Sequence, residues 1–207
     1  AGFGNHADGN RTGIVVGTGN HVTGTDGVIA GGTENMVDNS TRAMIGAGFR
    51  DTILAAENSF IGGGRLNKIG GGPGGTANVS HGFIGGGQNN KIQSGFSSGN
   101  HNAIVGGENH TLFGDHNVIA GGINNTNSGG GSNLFFGAGS NNNSFSGGSD
   151  YAIVAGSGNQ IGGSFSVARG FVGAGQNNRL LRGTNSFIGA GLNDSRSGDN
   201  SFLGGGE

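Results

Sequence analysis

The chain has 207 residues, among them 52 Gly, 27 Asn, one Pro and no Cys. Only 11% of the residues are charged and the formal net charge is −2, which excludes a basic nucleic-acid-binding surface and electrostatic attraction to a membrane. The lack of Cys excludes disulfides and thiolate metal sites, and no apolar run approaches the roughly 18 residues that a membrane-spanning segment needs.

A short repeat runs through the chain in twelve copies. Each copy holds an apolar pair, a Gly-rich cluster and an Asn turn, as in FIGGGRLN at residues 60–67. The second apolar residue of each copy is, in chain order, Val15, Ile29, Ile45, Ile61, Ile84, Ile104, Ile119, Phe136, Val154, Val172, Ile188 and Leu203. Because such a short unit cannot bury its apolar face alone, the copies are predicted to stack on one another as a solenoid.

Two short β-strands are predicted in each copy. The first contains the apolar pair, and the second follows the Asn turn, whose left-handed geometry suits a tight corner. The apolar residues of the second strand are Val22, Val37, Ile53, Ile69, Ile92, Leu112, Ile161 and Leu180. A coil of about 14–20 residues favours a flat two-sided roll or a compact left-handed coil over a three-sided helix. The pattern therefore predicts an all-β repeat solenoid, a parallel β-roll, as a single domain over residues 1–207.

The two residues of each apolar pair must point to opposite faces of the strand. We predict that the twelve second residues, Val15 to Leu203, form a structural ladder inside the roll. The first residues then point outward, where they would form a long apolar surface in water. The outward Phe residues predicted to contact an identical chain are Phe60, Phe83, Phe135, Phe171, Phe187 and Phe202. Association of identical chains would remove this surface from water.

Two stretches depart from the repeat spacing, at about residues 70–80, which include Pro73, and at about residues 93–102. We predict loop insertions there, because irregular segments usually bulge from a repeat scaffold. The sequence begins at Ala1 without Met and ends inside a copy of the motif. We expect it to be a segment of a longer fibrous protein.

Several copies share a longer string, such as NSFIG at residues 58–62 and 185–189 and NSFLG at residues 200–204. These strings resemble the YadA-like head repeat of bacterial trimeric autotransporter adhesins, with related repeats in some phage tail fibres. The resemblance implies a left-handed parallel β-roll in which three identical chains pack side by side. It also implies a location outside the cell, on the cell surface or on a virion fibre, and attachment to a host-surface glycan or matrix protein.

The polar residues show no catalytic or metal-binding pattern. Stacked coils would bring His101, His110 and His116 near one another, but no spacing on one strand face requires a shared metal, so we expect them to serve in turns. The carboxylates are scattered, and the chain has no Trp and only Tyr151 to stack on a sugar. We predict no catalytic residue, no cofactor and no metal site, and hence no enzyme.

The leading hypothesis is a non-enzymatic extracellular fibre or adhesin segment, a rigid oligomeric rod for surface attachment or spacing. One alternative is a filament subunit that stacks end to end, because strand edges at the ends of a solenoid can pair with another copy. A second alternative is an ice-binding solenoid, although Thr18, Thr33 and Thr111 do not form a regular array. A polysaccharide-degrading fibre domain is the enzymatic alternative.

Overall fold

The computed structural model describes residues 2–71, 78–94, 99–145, 148–163 and 165–206. In these residues the chain is all-β, and its strands pair in parallel to form a solenoid of about 12 turns. The predicted parallel β-solenoid is therefore confirmed. No helix in the described part of the chain is long and apolar enough to cross a bilayer.

The first sheet contains the apolar pairs, one strand per coil. Its strands are Gly13–Ile14, Val28–Ile29, Met44–Ile45, Phe60–Ile61, Phe83–Ile84, Ala103–Ile104, Val118–Ile119, Ser132–Phe136, Ser149–Ile153, Val167–Val172, the C-terminal part of Arg179–Ile188, and Phe202–Leu203. Each strand pairs with the equivalent residues of the coils before and after it, for example Ile61 with Ile45 and Ile84. Equivalent side chains are therefore stacked in rows along the solenoid.

The second sheet contains the strands that follow the corners. Its strands are His6–Asn10, His21–Thr25, Met36–Thr41, Thr52–Leu54, Ala56–Glu57, Lys68–Gly70, Val79–Ser80, Lys91–Ile92, Gly99–Asn100, Thr111–Leu112, Thr126–Asn127, Asn143–Ser144, Gln160–Ile161, the N-terminal part of Arg179–Ile188, and Ser195–Ser197. A separate parallel pair joins Gly2–Phe3 to Gly17–Thr18. At the corners, a single-residue β-bridge joins each coil to the next, in a series that begins at Thr18 and ends at Leu192.

The interior of the solenoid lies between these two sheets. Of the predicted ladder, Ile29, Ile45, Ile61, Ile84, Ile104, Ile119, Phe136, Val172 and Ile188 are buried and Leu203 is partly buried. The residues predicted for the second strand, from Val22 to Leu180, are buried opposite them. The interior is thus one or two apolar side chains thick, and it depends on the stacking of coils rather than on a globular core.

The prediction that Val15 and Val154 belong to the interior ladder is wrong. They are 64% and 40% exposed, and the interior positions belong to Ile14 and Ile153, which pair with Ile29 and Phe136 respectively. The two repeat copies that contain Val15 and Val154 each have three consecutive apolar or small residues, so the sequence allowed two registers for the strand. A shift by one residue moves a side chain to the opposite face of the strand.

The loop insertions predicted near residues 70–80 and 93–102 fall largely on residues 72–77 and 95–98, which lie outside the described residues. Strands lie within three residues of each of these segments, on both sides. Gly70 pairs with Leu54, and Val79 pairs with Ala56 and Gly99. The stacking of coils therefore continues on both sides of these segments.

Candidate functional site

Each first strand leads into a tight corner that requires Gly. In the coil that contains residues 60–67, the φ angles of Gly64 and Leu66 are 111° and 59°, both in the left-handed region. A Cβ atom at Gly64 would lie 2.2 Å from the carbonyl oxygen of Gly87 in the next coil. Only Gly permits this approach of one backbone to another. The corner turns the side chain of Asn67 into the interior.

Asn67 belongs to a corner ladder, in which one polar side chain per coil is stacked inside this turn. The corner ladder consists of Asn5, Asn20, Asn35, Asp51, Asn67, Asn90, His110, Asn125, Asn142, Asn159, Asn178 and Asp194. The Nδ2 of Asn67 donates to the carbonyl oxygens of Gly63 and Gly87, both at 3.0 Å, and its Oδ1 accepts the N–H of Asn90 at 3.1 Å. One side chain thus satisfies backbone groups in neighbouring coils, which ties the coils together.

Three members of the corner ladder are not Asn, and each leaves one buried atom without a hydrogen-bond partner. These atoms are Oδ2 of Asp51, Nε2 of His110 and Oδ2 of Asp194. Burial raises the pKa of Asp51 above its usual value, against the effect of the hydrogen bonds that this carboxylate accepts. Burial lowers the pKa of His110 below its usual value. Both shifts have a structural cause, so neither residue needs a catalytic role to explain them.

The structure separates the three histidines considered from the sequence. His110 is buried in the corner ladder, whereas His101 and His116 lie on an exposed corner. There His81, His101 and His116 form a stack with ring centroids 4.5 and 5.0 Å apart. Within the described part of the chain, no group of three or more His, Asp or Glu side chains is placed to hold a metal ion.

The outward face of the first sheet carries a continuous row of apolar side chains, which we call the apolar band. The apolar band consists of Val28, Met44, Phe60, Phe83, Ala103, Val118, Phe135, Ala152, Phe171, Phe187 and Phe202, aligned coil by coil. Adjacent rings stack, with centroids 4.8 Å apart for Phe171 and Phe187. Phe83, Phe135 and Phe202 are 40%, 42% and 69% exposed, so much of this apolar surface faces solvent in the single chain.

All six Phe residues predicted from the sequence to contact an identical chain lie in the apolar band. Val28, Met44 and Val118 are also first residues of their pairs, predicted to face outward but not among the six Phe residues named as the contact, and they belong to the same row. The sequence indicates their place in the row, because each of them directly precedes an interior Ile. The band is therefore longer than the Phe positions alone indicate.

A second outward row lies beside the band, two residues further along each coil, and we call it the flanking row. The flanking row consists of Val15, Ala30, Gly46, Gly62, Gly85, Val105, Ala120, Gly137, Val154, Gly173, Gly189 and Gly204. This row directly follows the strands of the first sheet, and its Val15, Val105 and Val154 are 64%, 55% and 40% exposed. The two rows therefore share one face of the solenoid.

The outward face of the second sheet has the opposite character. Its aligned residues from His21 to Ser195 are His21, Met36, Thr52, Lys68, Lys91, Thr111, Thr126, Asn143, Gln160, Arg179 and Ser195. All of them except Met36 are polar or charged. The same repeat thus presents a polar row on one sheet and an apolar row on the other.

Two shallow depressions lie near the C-terminal coils. One, of about 310 Å³, is lined by Gly163, Phe165, Leu181, Arg182 and Ser197. The other, of about 380 Å³, is lined by Asn177, Arg179, Asn193 and Ser195. Neither set of lining residues contains the pair of carboxylates that sugar hydrolysis needs. The apolar band is therefore the stronger candidate for a functional surface.

Comparison with known proteins adds no relative to this description. No protein-family model matches the chain, and no curated protein matches it significantly. The function of the chain is therefore inferred from the surfaces of the solenoid and from the repeat itself.

Proposed function

We propose that this chain is a rigid, non-enzymatic rod segment of an extracellular fibre or adhesin, in which identical chains pack side by side through the apolar band. The observation that carries the proposal is the band itself, which presents apolar side chains in eleven successive coils. The polar outward row of the second sheet shows that this repeat is able to present a polar face to water. An exposed apolar surface of this length is typical of a protein interface.

The solenoid supplies the stiffness that such a rod needs. Its interior rows and corner ladder connect every coil to its neighbours, and parallel backbone hydrogen bonds run along its length. Packing through the apolar band leaves the polar face of the second sheet exposed. That face repeats similar groups at the strand spacing, so contacts with a host-surface glycan or matrix protein would be multivalent and individually weak.

The NSFIG-type strings support the extracellular part of the proposal. Their resemblance to YadA-like head repeats favours three identical chains and a place on a cell surface or a virion fibre. A long apolar interface between identical subunits is consistent with that arrangement.

The solution mass of the chain, measured by light scattering over a range of concentrations, tests the lateral association. We expect a stable mass of three chains for the natural sequence. The substitution Phe83→Lys places a charge in the band and is expected to weaken association by about tenfold or more, because a buried unpaired charge is costly.

Thr111→Lys is the matched control for Phe83→Lys. It adds the same charge to the outward row of the second sheet, and we expect it to leave the mass unchanged. A natural chain that remains a monomer at every concentration contradicts the proposal. Equal loss of association in both variants also contradicts it, because the band would then have no special role.

A further inference from the structure

The side chains of the apolar band and of the flanking row vary together from coil to coil. Each of the six Phe residues of the band is followed two positions later by Gly, as in Phe135 and Gly137. Conversely, Val15, Val105 and Val154 of the flanking row are each preceded two positions earlier by Gly or Ala. A large side chain thus occurs in one row or in the other, never in both rows of one coil.

The contacts explain how one side chain replaces the other. A Cβ atom at Gly137 would lie 2.3 Å from the carbonyl oxygen of Val154 in the next coil, so the backbone leaves no room for a side chain there, and Cε1 of Phe135 lies over this Gly, 3.3 Å from the same Cβ position. The same relation holds at Gly173, where a Cβ atom would lie 2.3 Å from the carbonyl oxygen of Gly189 and 3.3 Å from Cε1 of Phe171. In the coils that have Ala103 or Ala152 in the band, the Val of the flanking row is 55% or 40% exposed at the surface.

This pairing keeps the amount of apolar material per coil nearly constant. The close approach of the next coil accounts for most Gly residues of the flanking row, but it does not require a large apolar side chain two positions earlier. Substitutions on a solvated surface have little effect on stability, so water does not require that side chain either. A packed surface does require it, because interiors and interfaces tolerate neither holes nor protruding groups. We infer that the apolar band and the flanking row form a level face that packs against the equivalent faces of the other copies of this chain in the rod. The inference rests on the proposed lateral association and names its contact surface.

The dimensions of the face fit a second copy. Eleven coils at the strand spacing of about 4.8 Å make a face roughly 50 Å long, and two rows of side chains make it roughly 12 Å wide. Two such faces would bury about 1,200 Å² in total, which is at the lower edge of stable interfaces. Another copy presents rows with the same spacing, so its side chains fit the grooves between coils along the whole length. The members of both rows are uncharged, so like faces meet without electrostatic repulsion.

A pair of variants tests whether the face must be level. Ala103→Phe places a ring beside Val105 and should raise the surface locally. The double variant Ala103→Phe/Val105→Gly restores the natural pattern of Phe followed by Gly. We expect the single variant to weaken association by about tenfold or more, as overpacking does, and the double variant to associate within about threefold of the natural chain. Light scattering against concentration gives both values.

The same pair at a second coil, Ala152→Phe and Ala152→Phe/Val154→Gly, provides an independent test if the first coil does not tolerate the change. Thermal unfolding of each variant checks that the chain still folds. Association of the single and double variants to the same extent overturns the level-face inference while leaving lateral association intact. A natural chain that never associates overturns both proposals.

Discussion

At the scale of single residues, the corner ladder shows why Asn is the preferred side chain at this position. An Asn amide supplies an acceptor for the N–H of the next coil and a donor for two carbonyl oxygens. A carboxylate supplies only the acceptor. In the two coils with Asp51 and Asp194, the corner residues Gly48 and Gly191 have φ angles of 152° and 154°, against 111° at Gly64. The backbone thus adjusts where the donor is missing.

Asp51→Asn is predicted to stabilise the protein at neutral pH. Asp51 is fully buried and its Oδ2 has no partner, whereas an amide there would donate to carbonyl oxygens as Asn67 does. We expect the free energy of unfolding at pH 7 to rise by about 1–3 kcal/mol, the cost of an unsatisfied buried polar group. Urea unfolding of the two proteins measures the difference.

The pH dependence of this effect has a definite sign. Because burial raises the pKa of Asp51 from 3.8, the folded chain binds more protons than the unfolded chain between the two pKa values. The stability contributed by Asp51 is therefore lost as pH rises through that interval, and the advantage of Asp51→Asn grows with pH. Asp8→Asn at an exposed position makes the same change in charge and serves as the control. No gain in stability for Asp51→Asn at pH 7 contradicts the prediction.

His110 is predicted to destabilise the chain in mild acid. Burial lowers the pKa of His110 below 6.5, so the unfolded chain binds the extra proton first and stability falls as pH drops below 6.5. His110→Asn should reduce this loss, and comparison of unfolding free energies at pH 7 and pH 5 measures it. His101→Asn removes an exposed histidine and should leave the loss as it is. Similar acid sensitivity of the natural chain and His110→Asn would show that the loss arises elsewhere.

At the scale of the strand, the interior row of the second sheet has a weak segment. Leu112 and Ile161 are separated in this row by Asn127 and Ser144, both buried. Oδ1 of Asn127 and Oγ of Ser144 have no hydrogen-bond partner. The interior of the solenoid is therefore less favourable in these two coils than in their neighbours.

Ser144→Val is predicted to strengthen this segment. Valine removes the unsatisfied hydroxyl and adds an apolar group, so we expect the free energy of unfolding to rise by about 1–2 kcal/mol. Chemical unfolding monitored by circular dichroism measures the change. Ser195→Val on the outward row of the same sheet tests whether strand propensity alone accounts for a gain. A decrease in stability for Ser144→Val would show that the interior has no room for the side chain.

The register of the first sheet could have been predicted completely from the sequence. Counting from the apolar pair was ambiguous at Val15 and Val154, where apolar or small residues follow one another. Counting back three residues from the corner glycines Gly17 and Gly156 leads instead to Ile14 and Ile153, which are the interior residues. The glycine is the better marker, because the corner fixes its conformation, whereas several residue types fit the strand.

At the scale of the whole molecule, the solenoid gains little from its narrow interior and has a large surface. A repeat chain contacts itself only between neighbouring coils, and its many Gly residues lose more conformational freedom on folding than any other residue type. Burial of the apolar band against other copies would add stabilisation along the entire rod. The small stabilisation from the interior and the additional stabilisation from burying the band together give a physical reason for identical chains to associate as a rod.

The sequence by itself determined the solenoid, because apolar residues recurring with glycine and Asn turns can be buried only by stacking, and this periodicity is visible in one dimension. It also indicated the outward Phe residues, because adjacent residues of a strand must face opposite sides. Only the tertiary structure decided which residues meet across coils. It placed His110 in the corner ladder and left Oδ2 of Asp51 without a hydrogen-bond partner, and it aligned the Phe rings of the apolar band over glycines. These relations depend on the stacking of residues some 15 to 23 positions apart, whose spacing varies from coil to coil.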